Sequence, residues 1–258
     1  MLKSYLENQQ YFIESWAKSP EKEWGKSIFS KLKSVNSKIE PFLDYLPEPY
    51  LGNPFNADAV FLNYNPGPVM EREQHKVNGI FVTRYKAIED YSHFAIHTPY
   101  FNGKKGFWAD RQNFLSRLLN KPFDSTTLFA LEICPFHSSS FKLSPSDIKV
   151  ASEYIENNVL KIAEEVAKQT PLKSIVSVGK DYNLLFNLLN YKLIKELDQT
   201  SNIQNWPTNK FGIKVNRNIS LWKSPSGGIY LNTWAPGSNK ISSKEFDSLI
   251  NNHFINKI

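Results

Sequence analysis

The sequence predicts an α/β fold: a three-layer αβα sandwich around a central, mainly parallel sheet, with helices at the N-terminus. Three observations predict it. Short apolar runs recur at residues 59–63, 127–133, 174–178 and 228–233; segments of helical periodicity lie between them; and the runs stop abruptly on Gly, Pro or Asn. Strands that alternate with helices in this order pair in parallel, with helices covering both faces of the sheet.

Taken in order, residues 4–17 and 21–35 space aromatic and aliphatic residues for two helices. They form a helical extension, residues 1–50, packed on a single domain that occupies the whole chain of 258 residues. The four prolines of EPFLDYLPEPYLGNPFN make that stretch an extended connector. Ala59–Asn63 reads as the first buried strand. Roughly forty irregular residues rich in His, Tyr and Phe follow, then a helix at Trp108–Leu119 and a second strand at Thr127–Ile133. In Ser144-Pro145-Ser146-Asp147 a cap residue, a proline at the first helical position and an acid three residues after the cap announce a helix running to about Lys168. Ser174–Val178 is a third strand, and Gly179 turns it into a helix at about Asp181–Leu189. Residues 211–216 and 218–223 read as a short β pair, Gly228–Thr233 as the last strand, and Ser242-Ser243-Lys244-Glu245 as the cap of a terminal helix.

Composition narrows the function classes. An apolar content of 41% with 14% aromatics excludes a disordered or fibrous chain. The net charge of +6 suits a polyanionic partner. A single cysteine, Cys134, excludes an internal disulfide and any cysteine-rich metal or iron–sulfur site, and it fits a reducing cytoplasm. Neither a signal core nor an apolar run of membrane-spanning length is visible, so the expected location is cytoplasmic with no membrane partner.

In an open α/β sheet, ligands bind beyond the carboxyl ends of the strands. Those ends here are Asn63-Tyr64-Asn65-Pro66-Gly67-Pro68, Glu132-Ile133-Cys134-Pro135-Phe136-His137, Val178-Gly179-Lys180 and Trp234-Ala235-Pro236-Gly237-Ser238-Asn239-Lys240. Asn, Pro and Gly serve any strand-to-loop turn. Glu132 is more telling, because an acid inside LFALEICPF needs a partner or a task, a salt bridge being the plainer account. Cys134 with His137 has the composition of a thiol nucleophile and base, although a Cys between Ile and Pro is usually a small buried apolar residue. His75, His93 and His97 match no tight metal-ligand spacing. Lys31, Lys33, Lys38, Lys104 and Lys105 read as solvated basic surface or as DNA-backbone contacts.

Through LNYNPGP, EICPF, SIVSVGK and WAPGSNK, spread over about residues 55–255, the chain resembles the uracil-DNA glycosylase superfamily, and most closely its single-strand-selective monofunctional branch with an N-P-G-P first motif. The resemblance implies that Asn65 positions the attacking water, that Tyr64 offers a backbone N–H to the base, and that Phe81 stacks on the flipped base. It also implies that Pro66, Gly67, Ser238, Asn239 and Lys240 contact DNA. No metal, cofactor or protein partner is implied.

Two departures bear on specificity. The family's base-reading asparagine is here Glu132, and the histidine that opens its second motif is replaced in Trp234-Ala235-Pro236-Gly237. An asparagine amide both accepts and donates, which matches uracil; an ionised carboxylate only accepts, which matches the amino group of cytosine. The expectation is therefore a monofunctional DNA glycosylase that flips out a modified, amino-bearing base and leaves an abasic site. Glucosylated or plain hydroxymethylcytosine in phage DNA is the candidate that the resemblance to anti-phage glycosylases suggests. Three other readings stay open: a uracil-DNA glycosylase of base-excision repair, a catalytically inactive nucleic-acid-binding module of the same fold, and a thiol hydrolase using Cys134 and His137.

Overall fold

Seven strands form one mixed, mostly parallel sheet: β1 (Tyr50–Leu51), β2 (Ala59–Asn63), β3 (Leu128–Glu132), β4 (Ile175–Val178), β5 (Lys192–Leu197), β6 (Asn218–Lys223) and β7 (Ile229–Trp234). Their spatial order is β1-β3-β2-β4-β7-β6-β5. The structure is a computed structural model and describes residues 1–67, 106–236, 241 and 243–255. The α/β class expected from the sequence is the class observed.

β4 runs parallel to β7, with Val178 opposite Thr233, so their carboxyl ends lie together. Antiparallel pairing joins β6 to both β7 and β5, and β1 to β3. AVFLN of β2 and LFALE of β3 are buried along their whole length, the pattern of strands covered on both faces.

Two strands depart from the sequence reading. β1 lies within the expected connector: Tyr50 and Leu51 pair with Leu131 and Ala130, and the missing N–H of Pro49 is tolerated on an edge. β5, KLIKEL, is largely exposed, and its lysines guard the other edge. Charge rather than apolarity marks it, so apolar runs do not reveal it. It is β5, and not residues 211–216, that pairs with β6.

Among the described residues the α-helices are α1 (Leu2–Lys18), α2 (Pro20–Lys26), α3 (Asn36–Ile39), α4 (Phe107–Leu119), α5 (Pro145–Ile155), α6 (Lys161–Ala167), α7 (Asp181–Leu188) and α8 (Asp247–His253). The expected helix at 21–35 breaks after Lys26, where the Ser27 hydroxyl accepts from Phe29 N–H and opens a tighter turn. The box at Ser144 forms as expected: Ser144 Oγ accepts from Asp147 N–H, and Asp147 accepts from Ser144 N–H. A π turn, Glu156–Leu160, carries that helix into α6.

Contacts divide the chain into two units. The first comprises the described parts of Met1–Asn53, Leu62–Thr98 and Ala130–Glu165. Its core is aromatic: Phe12 and Trp24 pack edge-on against Phe136 at 6.0 and 5.2 Å, and Phe29 packs on Tyr154. Truncating a buried ring such as Phe136 costs about 3–5 kcal/mol, so the N-terminal helices are part of this core. The second unit comprises the described parts of Pro54–Phe61, Pro99–Phe129 and Val166–Ile258. There Phe186 stacks on Tyr191 at 5.3 Å and also meets Trp222 and Tyr230. Buried Asp58 accepts from Thr127 N–H and pairs with Lys121 at 2.7 Å. Among the described residues, no helix is long and apolar enough to cross a membrane.

Candidate active site

The first unit places the strongest sequence candidates at the ends of β2 and β3. Beyond Asn63 the chain loses its apolar character, yet the ladder continues for two more bonds. Ile133 N–H donates to Asn63 O and Cys134 N–H donates to Tyr64 O, both at 2.9 Å. Gly67 then takes φ +81°, a left-handed conformation that glycine adopts without steric cost, and the chain turns.

The turn is fixed by Asn65. Gly67 N–H, Ser138 N–H and the Ser138 hydroxyl converge on one atom of its amide at 3.2, 3.1 and 2.9 Å. Backbone N–H groups only donate, so that atom is Oδ1, and Nδ2 carries the donors that face away from the turn. Ser138 N–H also donates to Gly67 O at 3.3 Å, which closes the lacing between the Asn-Pro-Gly turn and the segment after Cys134-Pro135. Asn65 is half-buried, Ser138 fully buried.

Glu132 ends β3 and is buried. Asn63 Nδ2 donates to Glu132 Oε1 at 2.9 Å. The backbone N–H of Glu132 donates to Pro49 O at 3.1 Å, so the residue just before β1 also holds the one from which this side chain projects. A carboxylate oriented by an amide donor is an acceptor set in a defined direction.

Cys134 and His137 each face backbone carbonyls. Cys134 is buried, burial pushes its thiol well above the ordinary value, and its Sγ lies 4.0 Å from Phe136 O. His137 Nδ1 faces Gly67 O at 3.1 Å and Nε2 faces Leu46 O at 3.2 Å, so the ring braces the Asn65 turn against the N-terminal segment. Glu48 Oε1 lies 3.8 Å from Nε2. Burial pushes Glu48 up to about 7. It also pushes His137 down to about 4, against the two carbonyls, which pull the other way. A neutral ring donates to one of those carbonyls and not to both.

In the second unit, Trp234 lies near Lys180, whose Nζ is 5.7 Å from the indole centroid. Ile241 is held through both its backbone groups. Arg217 Nη1 donates to Thr233 Oγ1 at 2.9 Å and to Ile241 O, and Asp110 accepts from Ile241 N–H at 3.0 Å. Desolvation lowers the pKa of Arg217, with the charge of Asp110 opposing. Phe81, Ser238, Asn239 and Lys240 lie outside the described residues, as do His75, His93, His97, Lys104 and Lys105.

No protein-family model, curated protein or solved structure matches the chain.

The structure thus brings Tyr64, Asn65, Pro66, Gly67 and Glu132 onto two laced strand ends. It adds three residues to which the sequence assigned no such part: Asn63, which orients Glu132; Ser138, which fixes the Asn65 amide; and His137 as a brace. A polar residue closing the run AVFLN was visible as a signal for Asn63. The run His137-Ser138-Ser139-Ser140 gave no sign of which hydroxyl turns inward.

Proposed function

We propose that the chain is a monofunctional DNA glycosylase acting on an amino-bearing, cytosine-type base. The observation that carries this reading is the buried Asn63–Glu132 pair at the strand end next to the fixed Asn65 turn. A glutamate held by an amide donor presents acceptor capacity, which complements an exocyclic amino group and opposes the carbonyl that uracil offers at the same edge.

In this mechanism the base leaves the stack and Glu132 reads its Watson–Crick edge. Asn65 Nδ2 donates to one lone pair of a water, and the other lone pair attacks the anomeric carbon. The C–O bond forms as the N-glycosidic bond breaks. The bonding pair departs with the base, the attacking water loses one proton to solvent, solvent protonates the departing base, and an abasic sugar remains. The oxocarbenium-like charge is spread near the DNA phosphates. Modified cytosine in phage DNA is the proposed substrate, because excision of unmodified cytosine would damage the cell's own genome.

The test is to incubate the purified protein with plain, uracil-containing, hydroxymethylated and glucosylated DNA and to identify any free base by mass spectrometry. Release of a cytosine-type base, lowered about 10²–10³-fold in Asn65→Ala, is the expected result. Glu132→Gln keeps an acceptor for Asn63 but adds a donor, and it should shift preference toward uracil by about 10–100-fold. Release of uracil alone, unaffected by Glu132→Gln, returns the protein to ordinary uracil excision. Salt-sensitive DNA binding with no base released from any substrate makes it a binding module.

A further inference from the structure

We infer that residues 207–215, in the second unit, form a preformed arm that binds a nucleic-acid strand, with Phe211 stacking on a base and Lys210 and Lys214 meeting phosphates. The arm is a self-contained hairpin. Asn209 N–H donates to Ile213 O at 2.8 Å, Gly212 N–H donates to Asn209 O at 3.0 Å, and Thr208 bridges Lys214. The Asn209 side chain is the scaffold: its Oδ1 accepts from Phe211 N–H at 2.9 Å and from Ile213 N–H at 3.1 Å. Gly212 supplies the left-handed step at φ +76°. The base of the arm is bolted down. Trp206 Nε1 donates to Val215 O at 2.9 Å, Val215 N–H donates to Pro207 O at 2.8 Å, and the buried Trp206 ring packs edge-on against Phe246.

This ordered turn presents apolar side chains to solvent. Phe211 is 74% exposed and Ile213 is 64% exposed, so neither contributes to a core. Lys210 Nζ sits 4.9 Å from the Phe211 ring centroid, and Lys214 follows on the same hairpin. Between Asp198 and Glu245 the chain has no acidic residue at all, while Lys210, Lys214, Arg217, Lys223, Lys240 and Lys244 fall in that interval. Such a stretch attracts a polyanion, and an exposed flat ring between lysines is what a strand of stacked bases and phosphates requires. Two apolar side chains are too small a surface to hold a membrane, whose affinity scales with buried apolar area. The inference rests on the glycosylase reading only in taking DNA as the natural polyanion.

The experiment is fluorescence anisotropy of a labelled single-stranded oligothymidylate, titrated with the full chain over a range of salt. Phe211→Ala lies on an exposed side chain and should leave thermal melting unchanged while weakening binding about ten-fold or more. Lys210→Gln with Lys214→Gln should flatten the dependence of log affinity on log salt by about 1.4, two phosphate contacts' worth. Binding unchanged in both variants overturns the inference. So does binding to vesicles of anionic phospholipid that depends on Phe211 when oligonucleotide binding does not. If no base is released from any DNA but oligonucleotide binding still depends on Phe211, the arm stands and the glycosylase reading falls. If excision at saturating DNA proceeds and Phe211→Ala binds normally, the reverse holds.

Discussion

Two asparagines lie in largely apolar strands, and their partners differ in kind. Asn63 closes AVFLN of β2 and gives its amide donor to the carboxylate of Glu132. Asn232, inside IYLNTW of β7, closes on neutral groups. Its Oδ1 accepts from Ser177 Oγ at 3.0 Å, and its Nδ2 donates to Gly179 O at 3.0 Å and to Asn183 Oδ1 at 2.8 Å. Ser220 Oγ completes the set by donating to Asn183 at 3.1 Å. A buried polar network whose members satisfy one another specifies packing and leaves nothing for a ligand. Glu132 is instead an ionisable group held in one direction by an amide donor.

The largest effect expected from this contrast is on stability. Asn232→Ala removes the acceptor of Ser177 and the donor to Gly179 O, and should destabilise the protein by about 4 kcal/mol. Excision per folded molecule should be unchanged. Asn63→Ala should alter base preference at a smaller stability cost. Denaturant melts combined with the base-release assay check both. If Asn232→Ala changes base preference and Asn63→Ala does not, the assignment of chemistry to the β2 and β3 ends is wrong.

Most of what frames the site was legible in the sequence. Strands β2, β3, β4 and β7 and the capped helix at Ser144 follow from apolar runs and local hydrogen-bond chemistry, which act within a few residues. Asn65 was legible for the same reason, since Pro66 and Gly67 mark its turn. The pairings were not. Nothing in a linear pattern distinguishes Asn63 from Asn232, because the difference lies in residues 69 and 55 positions away. β5 carries no apolar signal because its edge position favours lysines over apolar residues, and the tip at 211–216 has a strand-like pattern because Phe and Ile are strand formers. The Asn209 side chain and Gly212 override that preference.

A second way to sharpen the contrast is pH. The neutral network around Asn232 contains no titrating group, whereas the His137 brace in the first unit faces Glu48, with both ring nitrogens otherwise on carbonyls. Glu48 is raised from 4.5 to about 7, so taken alone it favours the folded state below pH 4.5 and loses that contribution as pH rises through 7. His137 is lowered from 6.5 to about 4, so its contribution is present above pH 6.5 and lost as pH falls through 4. Between pH 4.5 and 6.5 the unfolded chain holds one proton on the histidine and the folded chain holds one on the glutamate, and the two slopes cancel. Wild-type stability should therefore be nearly flat there. Glu48→Gln should lose stability toward acid and His137→Gln toward neutral pH, each by up to about 3 kcal/mol. Parallel slopes in the two variants would show that this pair does not share its titration.

The smallest effect is also the most selective. Gly67 and Gly212 have nearly the same backbone, φ +81° and +76°, and an added Cβ at either meets nothing within 4 Å. Ala at either position therefore costs only conformational strain, roughly 1–2 kcal/mol. Equal strain should have unequal consequences. Gly67 N–H helps to fix the Asn65 amide and its carbonyl receives Ser138 N–H, so Gly67→Ala should slow base release by more than its stability loss explains. Gly212→Ala should leave the rate at saturating DNA untouched and weaken only the binding of the strand. Matched melts with single-turnover excision on the two variants separate these outcomes, and an equal fall in rate would mean that the Asn65 turn does no more for catalysis than a surface hairpin does.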